Sequence, residues 1–157
     1  MTMNRWIRMI MMMTMLAGEV AQADVGHEDA MAWWGLYRVA LEQGDRQRLT
    51  SLLAHQARIT IQVQEHQAAP QQFTLTPARF SQQLLMMSRF ASRQQRTISA
   101  PVVSTGVAGE AILTVSVSEQ RELFGVVQHQ DDHLQITLSR CDGLVCAVQV
   151  RTESRIR

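Results

Sequence analysis

Between Trp33 and Val63 the spacing of apolar residues changes period, and that change restricts the folds open to the chain. Ala30, Trp33, Trp34, Tyr37 and Leu41 recur at three- and four-residue intervals, the mark of one buried helix face. Arg38, Glu42 and Gln43 lie off that face. Gly44 stands where this helix should end, because glycine takes the left-handed backbone at no steric cost. Asp45 follows with a carboxylate that can accept from the free N–H groups of a second helix. Leu49, Leu52 and Leu53 give that helix its stripe, to about His55. From Ala57 to Val63 the period falls to two. Ile59, Ile61 and Val63 share one side and Arg58, Thr60 and Gln62 the other, a strand with one wet face.

The rest of the chain extends this pattern into a sheet. Gln71 to Leu75 is a short return strand. Thr76-Pro77 starts a third helix, with threonine as cap and proline at the first helical position. That helix is expected to bury Phe80, Leu84, Met87 and Leu85 and to run to about Phe90. Strands are then expected over Arg96 to Ser104, Ala111 to Ser118, Glu122 to Gln130, Leu134 to Cys141 and Cys146 to Thr152. Pro101 marks an edge or a bulge. Glu119 to Arg121, Asp131 to His133 and Asp142 to Val145 supply the turns, and Glu153 to Arg157 is a frayed tail. Strands joined by short turns form an antiparallel meander, and helices followed by one such sheet make an α+β domain. A strongly curved sheet closed over helices is a cone, and the mouth of a cone is a common ligand site.

The first 23 residues stand apart from this domain, which spans residues 24–157. Arg5 and Arg8 precede an apolar run from Met9 to Ala17, and Ala21-Gln22-Ala23 is a small-x-small cleavage site. These are the parts of a secretory signal peptide cut after Ala23. The run is too short to span a bilayer, so no stable span is expected after cleavage. Export places the protein in a bacterial periplasm or outside the cell. Cys141 and Cys146, the two cysteines of the chain, then favour a disulfide over a metal site. If Asp142 to Val145 is a four-residue loop they lie directly opposite each other; if Asp142-Gly143 is a two-residue turn they are only diagonal, and the bond is expected to be strained or absent. No metal and no cofactor are expected. Acids and arginines nearly cancel, lysine is absent, and no arginine cluster has aromatic residues interleaved, so nucleic acid is not an expected partner.

The order of these elements resembles the nuclear transport factor 2-like superfamily, which includes SnoaL-like cyclases and ketosteroid isomerases. Leu36-Tyr37, Gly44-Asp45, Leu49, Leu52-Leu53 and Ala57-x-Ile59 match its opening, and T-P-A-R-F matches the start of its third helix. The resemblance covers about Ala30 to Leu138 and implies a cystatin-like, SnoaL-like cone. In ketosteroid isomerases a tyrosine and a protonated aspartic acid hold the enolate oxygen, and a second aspartate is the base. Tyr37 falls on the tyrosine. The base position falls near Ile61 and the second acid near Leu123 or Val126, all apolar, so no catalytic residue is assigned. Limonene epoxide hydrolases use an Asp–Arg–Asp set, for which strand-borne acids are wanting if Glu119, Glu122, Asp131, Asp132 and Asp142 sit at turns.

Three functions follow as expectations. The first is an exported, non-catalytic module that binds a small apolar ligand, or a partner in the envelope that is another protein or a second copy of itself in a homodimer. The second is an isomerase, cyclase or hydrolase working in the cone. The third is a structural part of an envelope or secretion assembly. A buried pair of polar groups facing each other across the cone would favour the enzyme. The candidate ligand pocket is lined by Tyr37, Trp34, His129 and Val127.

Overall fold

A computed structural model of the chain describes residues 23–90 and 93–157. The expected leader, but for Ala23, lies outside them. Helix α1, His27–Gln43, begins where the Gly26 N–H donates to Asp29 Oδ2 at 3.3 Å. It ends at Gly44, whose φ of 68° is left-handed. It buries Ala30, Trp33, Trp34, Tyr37 and Ala40, the face its spacing predicts, with Leu41 half-buried beside them. Asp45 caps α2, Arg46–Ser51, by accepting from the Arg48 N–H at 2.9 Å. This helix is shorter than expected. Leu53 already belongs to β1, Leu53–Glu65, and His55 lies on that strand, exposed.

Strand β2, Gln71–Leu75, pairs antiparallel with β1 and leads to α3, Pro77–Phe90. Pro101 splits the next expected strand into β3, Arg93–Ile98, and β4, Val102–Thr105, and both pair with β5, Ala111–Leu123. Strand β6, Val126–Cys141, and β7, Leu144–Ile156, complete a seven-stranded sheet of order β2-β1-β7-β6-β5-β3, with β4 also on β5. The expected frayed tail is thus part of β7.

Two expectations about the sheet are corrected. It is mixed rather than wholly antiparallel, because β1 runs parallel to β7. Short turns set the direction of strands adjacent in sequence; the pairing of the first long strand with the last is closed through the helices, which local patterning cannot read. The second correction concerns turns. Glu119 to Arg121 and Asp131 to His133 lie inside continuous strands, paired Glu119↔Gln130 and Val117↔Asp132. The chain reverses instead at Phe124-Gly125, with φ of 52° and 80°, the mirror-image turn that suits a two-residue hairpin.

The last hairpin reverses at Asp142-Gly143, with Cys141 paired to Leu144 and Cys146 to Ser139. The cysteines are therefore the diagonal pair. The disulfide is nonetheless present in this diagonal arrangement, because the Cα atoms are 5.9 Å apart, inside the usual span.

Candidate functional site

Cross-strand register stacks the inner face of the sheet in rows, each two residues and about 7 Å beyond the last. The first row is Ile59, Val150, Ile136 and Leu113, all fully buried. Next come Ile61, Thr152, Leu134 and Val115, and then Val63, Ser154, Asp132, Val117 and Ile98. The fourth row holds Ile156, Gln130, Glu119 and Arg96. The dry core thus passes through one row bearing an acid into a row of charges. Helix α1 contributes Tyr37 and Leu41 over this face, and α3 contributes Phe80, Gln83, Leu84 and Met87. Together they enclose a cavity of about 200 Å³.

The polar groups of the cavity form one network. Arg96 donates through Nε at 3.2 Å and Nη2 at 3.0 Å to Glu119 Oε2. Arg121 Nη1 lies 3.8 Å from Glu119 Oε1, and both residues are buried. Arg121 Nη2 donates to Gln130 Oε1 at 2.6 Å, and Gln130 Nε2 donates to Asp132 Oδ1 at 2.7 Å. Burial pushes the Asp132 carboxyl above the ordinary aspartate range, and the charge of Glu119 adds to that; hydrogen bonds from Ser154 and Gln130, and Arg121, pull the other way. The net effect favours the protonated acid. Burial likewise raises Tyr37, so its phenol stays protonated, and nearby Arg96 opposes this only in part. The Tyr37 hydroxyl bonds to none of the described residues.

This arrangement includes one of the four expected pocket residues. Tyr37 lines the cavity, stacked between Trp33 and Trp34 with ring centroids 5.3 and 5.5 Å away. Trp34 is buried behind it and is not a lining residue. Val127 and His129 are exposed and alternate with Gln130, Asp132 and Leu134, which face in. Ile61 also lines the cavity. Glu119, Arg121 and Asp132 were missed as site residues because they were read as turns. Their parity was visible: Val115, Val117, Glu119 and Arg121 alternate without a break, as do Gln130, Asp132 and Leu134. The strand-borne acids that the sequence reading found wanting are therefore present. Among the described residues, no cluster of three or more acids, histidines and cysteines could hold a metal ion.

No family model matches the chain, and neither does any curated protein. Solved structures do. An uncharacterised protein with a cystatin-like fold from Caulobacter vibrioides superposes with a TM-score of 0.62 at 10% identity, over 82% of this chain and 89% of that one. Hexachlorocyclohexane dehydrochlorinase (LinA) gives 0.59 at 11% identity, over 80% and 82% of the two chains. ActVI-ORFA from Streptomyces coelicolor gives 0.54 at 11%, over 80% and 93%. At these identities the likeness concerns the fold, and the fold of this chain is the SnoaL-like, nuclear transport factor 2-like cone.

Proposed function

We propose that the cone is an acid–base site for a small apolar molecule carrying one reactive oxygen, an activity of the isomerase, cyclase or hydrolase type. The observation that carries this reading is the placement of Asp132, whose carboxyl burial pushes above the ordinary aspartate range, and Glu119, paired with two arginines, in one cavity with the Tyr37 phenol. A buried carboxyl that holds its proton more tightly than an ordinary aspartate can give that proton to a substrate oxygen, then take one back. Gln130 and Ser154 orient that carboxyl. Tyr37 offers a second donor for charge developing on the same oxygen, in surroundings dry enough to strengthen it. The lining of Leu41, Ile61, Val63, Leu84 and Leu134 suits an apolar skeleton. A cavity of about 200 Å³ is below the range of roughly 300–1,000 Å³ that takes drug-sized ligands, so the skeleton is one or two rings rather than four.

The binding-module reading keeps one point in its favour: the resemblance to ketosteroid isomerases sets their base near Ile61, an apolar residue of the cavity wall. Purified protein incubated with small epoxides, enones and cyclic ketones, with products read by gas chromatography–mass spectrometry, separates the two. Turnover abolished in Asp132→Asn and weakened in Tyr37→Phe supports the acid–base site. A small molecule retained in native mass spectrometry with no turnover supports binding alone. In either reading the protein works outside the cytoplasm. Arg5, Arg8, the apolar run and Ala21-x-Ala23 support export, and the Cys141–Cys146 disulfide suits an oxidising compartment. N-terminal sequencing of envelope material should return Asp24; Met1 would refute cleavage.

A further inference from the structure

Two hairpins of this chain turn on the same geometry with opposite chemistry. Asp142-Gly143 turns at φ of 51° and 81°, and Phe124-Gly125 at 52° and 80°. Aspartate tolerates the left-handed region, and Asp-Gly is a preferred pair for this turn. Phenylalanine is a poor choice there, since a bulky side chain is strained at positive φ. It is also 94% exposed, beside Val126 at 61% and Val127 at 51%. A residue that is locally unfavourable on both counts points to something outside the fold that buries it.

The shape of the patch says what that is. Val126 and Val127 point to opposite faces of the ribbon and Phe124 caps its apex, so apolar side chains stand at the apex and on both faces of the tip. A flat protein surface meets one face of a ribbon, whereas an apolar medium meets both faces and the apex together. The Leu123↔Val126 rung closes the ladder, so the turn itself exposes few unpaired peptide groups, as a shallow position in a lipid interface requires. Below the tip come Glu122, opposite Val127, and then Gln95, Gln120, Gln128 and His129, polar side chains placed at headgroup level. The tip stands four residue pairs, about 13 Å, beyond the Glu119↔Gln130 row that ends the cavity. We infer that the β5–β6 hairpin tip, with Phe124 at its apex, seats the protein on a lipid surface with the cavity mouth beside it. Only the identity of the cargo, an apolar molecule dissolved in that lipid, rests on the reading above.

Flotation of the chain beginning at Asp24 with phosphatidylcholine vesicles, with and without phosphatidylglycerol, tests this. The protein should float with the vesicles, and Phe124→Trp should bind with blue-shifted indole emission. Phe124→Asn should fold at least as well, because asparagine suits the left-handed turn, yet bind roughly ten-fold more weakly or worse, as loss of one buried aromatic requires. Leu144→Asn, in the other hairpin, should bind like the parent. Parental binding by Phe124→Asn overturns the inference. So does a parent that ignores vesicles, or one that instead forms a concentration-dependent dimer lost in Phe124→Asn. A parent that ignores vesicles yet turns over a water-soluble substrate leaves the acid–base site standing. Vesicle binding without turnover leaves the hairpin contact standing.

Discussion

Gln130 donates its side-chain amide to Asp132, two residues along the same strand, at 2.7 Å. The bond holds the carboxyl on the cavity face while burial keeps it above its ordinary value of 3.8. Stability should follow from that shift with a definite sign. A raised acid binds its proton more tightly in the folded state, so the folded chain holds more protons than the unfolded one just above pH 3.8. Stability then falls as pH rises through that interval, and the loss persists above it. Asp132→Asn removes the group, so urea midpoints of the variant and parent should draw apart in the variant's favour as pH rises from the acid side. Midpoint curves that stay parallel would refute the shift. Asp131, on the opposite face, has the reverse sign. Hydrogen bonds from Ser118 and Arg157 hold it below 3.8, so its contribution is lost as pH falls through the acid range.

Glu119 should matter far more to stability than a surface acid of the same charge. It is 6% exposed between Arg96 and the equally buried Arg121. Arg121 Nε already has no hydrogen-bond partner among the described residues. Glu119→Gln leaves that arginine without its counter-charge, which costs roughly 3–5 kcal/mol in comparable buried pairs. Arg38 pairs with Glu42 at 3.2 Å on the exposed side of α1. Arg38→Ala should change stability by about 0.5 kcal/mol or less. Chemical denaturation of both variants checks the contrast; equal losses would mean that the cavity network is solvated rather than buried.

The Cys141–Cys146 bond closes a short loop, and constraining so few residues in the unfolded chain contributes about 2 kcal/mol. Alkylation without reductant should add nothing to the intact mass, and uptake of two alkyl groups rejects the bond. Reduction should lower the unfolding free energy by about that amount and leave the cavity unchanged, since the hairpin lies at the opposite end of β6.

The helices, the cone and the disulfide were legible because each rests on a local rule: the spacing of Trp33, Trp34 and Tyr37, the Gly44-Asp45 junction, two cysteines five residues apart. The site was not legible, for a related reason. Alternation is recognised by apolar residues recurring on the inner side, and where the inner side holds Glu119, Arg121 and Asp132 the pattern looks like a turn. Val127 and His129 were placed inward by the same misplaced turn, which shifted the parity of β6 by one. The parallel β1–β7 pairing lay beyond reach because no local rule joins strands some eighty residues apart.

The parity of β6 also decides which substitution closes the cavity. Leu134 faces in, beside Asp132 and Thr152, whereas Val127 lies on the outer side of the hairpin. Leu134→Trp should fill much of the 200 Å³ and abolish binding of a one- or two-ring ligand. Overpacking there should cost about 1–3 kcal/mol of stability, as forced off-rotamer neighbours typically do. Val127→Trp, by contrast, should leave both the cavity and the ligand affinity as they are. Titration of each variant with 2-naphthol, whose hydroxyl can meet Tyr37 and Asp132 while its rings meet the apolar wall, reads the difference directly. Loss of binding in Val127→Trp with retention in Leu134→Trp would place the ligand outside the cone, and the acid–base reading would fall with it.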